Sequence, residues 1–334
     1  MTHRFGHLCL NPALHILKSN KKFGIDLFFS HRLGVSNSVV LNFWKKKIII
    51  FPNLVLKPLY DLLKFLNLHQ KFSYHYFSNN DRDIDCLINK NKTFSILSKN
   101  TKKKCFEILK KEKINNKKIV CIFVRDDNHL KKYGKKSWHY LSHKNVDIKL
   151  FESSIKYLIK KKYTVFRMGA TKGKKINIKS KFYVDYANSN LRTELMDIFL
   201  SQICSFCIQT GTGGGAAAQL FKRPILDIQT PAHQFMTYLT NCILLTKHLY
   251  SKKKRKFLSL KELMLYDVSS IINRDLMEKR GIDVVENSSK EILESVKEIE
   301  KRTSKKWIIS KIEKELKVKF SHIFNLNMKN LKEN

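Results

Sequence analysis

Short apolar runs alternate with amphipathic segments between about residues 117 and 228. The runs that have the length and composition of buried strands are 119–124, 163–168, 182–184, 206–208 and 224–228. Between them, apolar positions recur at helical spacing behind Asp147 and again over residues 192–203. Strands that alternate with helices predict a doubly wound parallel sheet, whose ligands bind beyond the carboxyl ends of the strands.

The pattern on either side of this region is less regular. Residues 1 to about 100 favour a mixed α/β unit, and a Lys/Asn-rich stretch with a helix over 103–111 follows it. Beyond Pro231 the pattern favours helices, one of them behind the capping-box pair Ser288 and Glu291. We expect an N-terminal α/β domain over 1–115, a ligand-binding domain over 116–285, and C-terminal helices and tail over 286–334.

The longest uncharged stretch, 198–221, does not predict a membrane-spanning helix. It contains four glycines and polar side chains, which fit a buried strand, a turn and a helix better. A second apolar stretch, 48–66, is interrupted by Pro52, Lys57 and Pro58, so it could lie on a membrane surface without crossing the bilayer. The start of the chain shows no secretory signal, and seven cysteines without a framework spacing indicate reduced thiols. These features favour a cytoplasmic protein.

The formal net charge is +37, which would attract nucleic acid, anionic lipid or phosphorylated substrates. The lysines are spread along the chain in short runs, as expected of an AT-rich coding sequence and a solvated surface. No nucleic-acid-binding module is recognisable. We therefore favour compositional drift with attraction to an anionic membrane surface, on the inner face of the cytoplasmic membrane, over specific nucleic-acid binding.

Four of the 11 glycines lie within 211–215, directly after a predicted strand. Such a turn directs backbone N–H groups at a phosphate, although a tight turn without a ligand is the alternative. Arg125 and Arg167 close neighbouring strands and could hold a diphosphate, unless they pair with Asp126 or Asp185. The candidate diphosphate-binding residues are Arg125, Arg167, Gly169, Thr210, Gly211, Thr212, Gly213 and Gly214.

Two common phosphate-binding motifs do not fit the turn. No Gly-Lys-Ser/Thr follows it, which excludes a P-loop. It also follows the fourth strand and not the first, unlike the dinucleotide-binding fingerprint. Cys204 and Cys207 form a CxxC without a second ligand pair, so core thiols are favoured over a metal site. The carboxylates of 81–85 lie in a polar segment outside the strand-end edge, so we favour turn and cap roles for them over metal binding.

Several short motifs occur in the order found in a known group of enzymes. They are Arg125-Asp126, Arg167-Met168-Gly169, Asp185-Tyr186-Ala187, Arg192 with Asp197-Ile198, Gly211-Thr212-Gly213 and Arg223-Pro224. Together they resemble a group of bacterial glycosyltransferases associated with surface polysaccharide synthesis. Gly6-His7 and Asn287-Ser288 with Glu291-Ile292 extend the resemblance to residues 3–302, whereas Gly214-Gly215-Ala216 departs from it where bulkier residues are expected.

The resemblance implies the GT-B architecture, in which two Rossmann-like domains face each other and the C-terminal domain binds the nucleotide-sugar. The resemblance implies neither a donor nor an acceptor, and our leading hypothesis is transfer of a sugar from a nucleotide-sugar to a cell-surface glycan or lipid-linked glycan. We expect no cofactor, and no metal because arginines can stabilise the leaving diphosphate. His7 is our first candidate for the catalytic base and Asp126 the second. A sugar-nucleotide epimerase or hydrolase on the same fold is the alternative.

Overall fold

The fold is described by a computed structural model that covers most of the chain. It describes residues 2–18, 27–30, 34–68, 83, 86–115, 117–126, 139–170, 173–230, 242–259, 261–262 and 274–320. The predicted tail beyond 320 lies outside these residues, as do four of the five residues of the acidic segment 81–85.

A six-stranded parallel sheet forms the centre of the molecule. Its strands are β3 (Ile119–Phe123), β4 (Thr164–Met168), β5 (Tyr183–Val184), β6 (Phe206–Gln209), β7 (Ile225–Thr230) and β8 (Cys242–Thr246). Their spatial order is β5-β4-β3-β6-β7-β8, and every neighbouring pair is parallel. The five strands predicted from sequence are confirmed within one or two residues at each end.

Helices cover both faces of this sheet. They are α5 (Lys99–Lys111), α6 (Glu152–Lys160), α7 (Glu194–Ile203), α8 (Ala216–Leu220) and α10 (Ser289–Thr303). Thr193 caps α7 through Met196 N–H, and Ser288 with Glu291 forms the predicted capping box of α10. One core cluster packs α6 and α10 against the sheet, and the other packs α5, α7 and α8 against the opposite face. The doubly wound architecture is therefore confirmed.

The region after Pro231 contains more strand than its sequence predicts. Besides β8, a small antiparallel sheet has the order β10-β9-β11, formed by β9 (His248–Ser251), β10 (Lys256–Phe257) and β11 (Ile282–Val285), beside α9 (Arg274–Lys279). The expectation of helices beyond Pro231 was wrong over residues 242–257 and 282–285, which form strands, whereas α10 confirms it beyond Ser288. Periodicity does not distinguish a strand from a helix in a run as short as 242–246. Here the residues form a strand because they pair with β7.

The N-terminal part contributes helices and one short parallel strand pair. Its elements are α1 (Phe5–Lys18), β1 (Leu27–Phe29), α2 (Ser38–Lys45), β2 (Ile49–Phe51), α3 (Asn53–Phe65) and α4 (Leu87–Lys90). Within the described residues, β1 and β2 are the strands of this part, so a second complete Rossmann-like sheet is not among them. Leu8, Val40 and Trp44 are buried in the same core cluster as Phe199 and Ala217 of the large sheet's layer. The N-terminal elements thus share a core with the C-terminal sheet.

The C-terminal residues form a helix over 311–320 after α10. Arg302 of α10 forms an ion pair with Glu313, and Trp307 donates a hydrogen bond from Nε1 to Glu313 Oε2 at 3.0 Å. No helix in the described ranges is long and apolar enough to cross a membrane.

Candidate functional site

The crevice between β3 and β6 is the position at which the sheet reverses its order. The chain proceeds from β3 outward through β4 to β5, then returns to β6 and proceeds the other way through β7 to β8. Loops at such a switch point diverge to opposite faces and leave a crevice beyond the carboxyl ends of the two central strands. Arg125 follows β3 and Thr210 follows β6, and Arg125 N–H donates to Thr210 Oγ1 at 2.8 Å across this crevice. Two candidate residues from the sequence therefore meet there.

The glycine turn runs from Gly211 into a short 3-10 turn, Gly213–Gly215, that continues into α8. Thr212 caps this turn because its Oγ1 accepts the Gly214 N–H at 2.8 Å. The Gly211 N–H donates to Asp227 Oδ1 at 3.2 Å. Among the described residues, the N–H groups of Thr212 and Gly213 have no acceptor. These two donors are available to an anion.

Three glycines of the turn also have a packing role. A Cβ at Gly213 would lie 2.9 Å from the Gly6 nitrogen, so α1 begins in direct contact with the turn. A Cβ at Gly214 would overlap the Phe123 ring, and one at Gly215 would overlap Gln209 Oε1. Close packing alone therefore explains why side chains are absent at these positions. The glycine cluster does not by itself distinguish a ligand-binding turn from a tight structural turn.

Asp227 is a buried carboxylate that orders the turn and that sequence analysis did not single out. It is 3% exposed, and its Oδ2 accepts a hydrogen bond from Gln209 Nε2 at 3.1 Å while Oδ1 holds Gly211. A signal existed in the sequence, since one acidic residue interrupts the otherwise apolar run 224–228 that predicts β7. Buried carboxylates in such a run are expected to accept hydrogen bonds from nearby backbone.

His7 lies on the first turn of α1, next to the Gly6 backbone that contacts Gly213. Burial lowers its pKa to about 4, with a smaller contribution from Arg4 in the same direction. Its Nδ1 lies 3.4 Å from Asn11 Nδ2, one helical turn further along. The imidazole is therefore neutral at pH 7 and lies on the helix whose start touches the glycine turn.

Arg167 belongs to a polar cluster on the other face of the sheet. Side chains alternate along β4, and Phe166 and Met168 face the core that contains α1 and α8, whereas Val165 faces α6 and α10. Arg167 shares the orientation of Val165. Its position is thus at the same strand-end rim as the glycine turn but on the opposite face.

The Arg167 guanidinium is buried and has a carboxylate partner. Its side chain is 5% exposed, and Nη1 donates to Asp185 Oδ1 at 3.3 Å. Asn188 Nδ2 donates to the other Asp185 oxygen at 2.8 Å. A Cβ at Gly173 would overlap Arg167 Nη2 and lie 2.7 Å from Asp126 Oδ2, so Asp126 borders the same cluster. The sequence left two roles open for Arg167, which were binding a diphosphate and pairing with a carboxylate, and the structure shows the pair with Asp185.

Gly169 follows β4 directly and leads away from the same rim. Arg125 and Asp126 are half-buried, and Thr210 is fully buried below the turn. The structure therefore brings Arg125, Thr210, Gly211 and Thr212 together at the crevice, with His7 on the adjoining helix. It groups Arg167 and Asp126 around Gly173 instead.

Other motif residues have structural contacts. Tyr186 Oη, fully buried, donates to Asp197 Oδ1 at 2.9 Å, and Arg192 Nη2 lies 3.2 Å from the other Asp197 oxygen. Burial raises the pKa of Asp197, which Arg192 opposes. Asp83 caps α4 by accepting the Leu87 and Ile88 N–H groups at 2.6 and 2.9 Å. These contacts secure α7 and α4, and the Asp83 cap matches the role expected for its segment.

The thiols of the CxxC lie inside the protein. Cys204 and Cys207 are fully buried, together with Cys121 of β3, and are not in disulfides. Burial holds the pKa of Cys121 and Cys207 well above its usual value. The expected role as core thiols agrees with this placement, and no group of three metal-ligating side chains occurs within the described ranges.

No protein-family model and no curated protein matches the chain. Among solved structures, the chain is similar to the glycosyl transferase family 9 protein of Veillonella parvula, with 9% identity and a TM-score of 0.48 over 88% of this chain and 94% of that chain. A likeness at this level does not assign a function.

Proposed function

We propose that the chain is a glycosyltransferase that binds the diphosphate of a nucleotide-sugar in the crevice between β3 and β6. One observation carries the proposal: the glycine turn lies at the switch point of the sheet, with the Thr212 and Gly213 N–H groups unengaged by described residues. Crevices of this kind are the common ligand-binding position of doubly wound sheets. Backbone donors and a nearby arginine suit a diphosphate.

The proposed reaction displaces a nucleoside diphosphate from an anomeric carbon. The oxygen of an acceptor hydroxyl forms a new bond to that carbon, the bond to the diphosphate breaks, and the diphosphate leaves with its negative charge. The Thr212 and Gly213 N–H groups and the Arg125 guanidinium would stabilise this charge. Buried Asp227 keeps the turn in place through Gly211. Arginine and backbone donors make a metal-independent reaction the form we propose.

His7 is the residue that we propose accepts the proton of the acceptor hydroxyl. Its lowered pKa keeps the ring neutral at pH 7, so a lone pair is available. A pKa of about 4 also makes it a weak base, so its contribution to the rate should be small. Asp126 is the second candidate, from its position after β3 next to Gly173.

We propose three further details on the basis of the sequence. The N-terminal part would supply the acceptor side of a two-domain GT-B arrangement. The acceptor would be a cell-surface glycan or a lipid-linked glycan, and the enzyme would act in the cytoplasm. Product analysis distinguishes a transferase, which needs an acceptor, from an epimerase or hydrolase, which converts the donor alone.

The test is a thermal-shift screen of nucleoside diphosphates and their sugar conjugates, followed by calorimetry of the best ligand. Thr212→Ala, which removes the cap of the turn, should weaken binding about fivefold or more, since a cap contributes about 1 kcal/mol. Ser98→Ala removes the equivalent cap of α5 and is the matched control. The proposal fails if no nucleoside diphosphate or conjugate shifts the melting temperature, or if both variants bind alike.

A further inference from the structure

Helix α3 presents a large apolar surface to solvent. None of its residues is buried, and Leu54 and Phe65 expose 86% and 83% of their surface. The exposed apolar residues of α3 and the turn after it are Leu54, Val55, Leu59, Leu62, Phe65, Leu66 and Leu68. Isolated exposed apolar residues are ordinary, but a contiguous set on one helix marks an interaction surface.

The exposed residues share one side of the helix. At 100° per residue, the positions from Leu54 to Leu66 fall within an arc of about 140°. The opposite side carries Leu56, Tyr60 and Leu63, which are only partly exposed, and Tyr60 lies 5.8 Å from the Phe29 ring of β1. Helix α3 thus already packs on the small sheet through its inner side. The outer side is a second apolar face without a partner in the described chain.

Two residues of the small sheet add to the exposed apolar surface beside α3. Leu27 of β1 and Ile49 of β2 are paired in register and are 49% and 48% exposed. Both share the strand orientation of Phe29, and therefore the face on which α3 packs. We call the exposed apolar residues of α3 and of the turn after it the α3 face.

Positive charge borders the α3 face. Lys57 and Lys64 lie together about 60–80° around the helix from the Leu54 edge of the exposed arc, and Asp61, which forms an ion pair with Lys57, lies between them and the arc. Three consecutive exposed lysines, Lys45–Lys47, are separated from β2 by Ile48 alone. If a second copy of the chain bound to this face, its lysines would lie close to those of the first copy, and the like-charge repulsion would cost free energy. The charge instead complements a surface of phosphates.

We propose that the α3 face docks onto an anionic lipid bilayer, with the exposed side of α3 in the interface plane. Helices that bind in this plane combine an apolar face with lysines along its border and are too short or too polar to span. The apolar side chains enter the region between headgroups and acyl chains, while Lys57 and Lys64 reach the lipid phosphates. The inference does not depend on glycosyl transfer. It identifies the segment that would hold the protein at a membrane.

The experiment is flotation of the full chain with vesicles of phosphatidylcholine alone and with about a third phosphatidylglycerol. The chain should float with the anionic vesicles, and raised salt should weaken this binding. Leu54→Gln with Phe65→Gln should lower the partition coefficient at least tenfold, because both side chains would lose their apolar burial. Lys57→Gln and Lys64→Gln should each lower it by up to about fivefold.

Phe257→Gln with Leu276→Gln is the matched control, since both are exposed apolar residues outside the α3 face, at 56% and 46%. It should leave binding unchanged, and circular dichroism should show the same melting temperature for every variant because none of the replaced residues is buried. Equal binding to neutral and anionic vesicles overturns the proposal. Wild-type binding by the variant with Leu54→Gln and Phe65→Gln also overturns it. A third contradicting outcome is a wild-type chain that binds no vesicles and forms a dimer, which this variant converts to a monomer.

Discussion

Gly6 and Gly213 are 207 positions apart in the chain, and their backbones are in contact. A Cβ on Gly6 would lie 3.0 Å from the Gly213 Cα, and one on Gly213 would lie 3.1 Å from the Gly6 Cα. This contact places the start of α1 directly on the glycine turn at the switch point of the sheet. It explains how a residue as early as His7 can belong to the same site as Thr212.

Alanine at either position of this contact should separate α1 from the turn. We expect Gly6→Ala and Gly213→Ala each to lower the free energy of unfolding by about 1–3 kcal/mol, as overpacking does. The double variant should lose less unfolding free energy than the two single variants together, because both substitutions disrupt the same contact. Urea unfolding of the four proteins measures this. Fully additive losses would mean that the two glycines do not meet.

Stability should fall as pH decreases through the range in which His7 titrates. The folded pKa of about 4 lies below the ordinary value of 6.5, so protons bind more tightly to the unfolded chain. The contribution of His7 is fully present above pH 6.5 and is lost as the pH approaches 4. We expect it to be on the order of 2 kcal/mol.

Urea unfolding at pH 7.5 and pH 4.5 tests this expectation. In His7→Asn, the difference in unfolding free energy between the two pH values should be smaller than in the wild type by about 2 kcal/mol. Comparing the variant with the wild type removes the contribution of the other titrating groups. Equal pH dependence in both proteins would show that His7 is not buried as described.

Asp227 and Asp83 form a natural pair for separating stability from binding. Each is a buried carboxylate that accepts hydrogen bonds from nearby groups, Asp83 at the start of α4 and Asp227 at the glycine turn. Replacement of either by Ala should cost about 1–3 kcal/mol of unfolding free energy. Only Asp227→Ala should also weaken nucleoside-diphosphate binding, measured by calorimetry. Equal binding by the two variants would remove the glycine turn from the site.

Arg167 should contribute to folding through Asp185. Arg167→Met leaves the partly buried Asp185 carboxylate without its cationic partner, while the hydrogen bond from Asn188 remains, and should lower the unfolding free energy by about 1–3 kcal/mol. Asp185→Asn together with Arg167→Met should recover part of this loss, which a double-mutant cycle measures. If Arg167 also binds the donor, Arg167→Ala weakens nucleoside-diphosphate binding by about 1.5–3 kcal/mol. An unchanged dissociation constant assigns Arg167 to the ion pair alone.

The sheet was predictable because its signals are local. Residues 119–123 and 164–168 are short apolar runs between helical segments, and buried parallel strands need little else. The order of strands was not predictable from these runs, so the crevice between β3 and β6 appears only in the fold. The contact of Gly6 with Gly213 and the ion pair of Arg167 with Asp185 join segments far apart in sequence. Composition and spacing carry no information on such contacts.

Nucleoside-diphosphate binding by the wild type and by Arg125→Ala tests the central claim most directly. Arg125 follows β3 at the crevice and its backbone is fixed to Thr210. The proposed site predicts that one nucleoside diphosphate binds the wild type and that Arg125→Ala weakens it by about 1.5–3 kcal/mol, which is a factor of about ten to a hundred. Calorimetry that finds no binding by the wild type, or the same dissociation constant for both proteins, would contradict it.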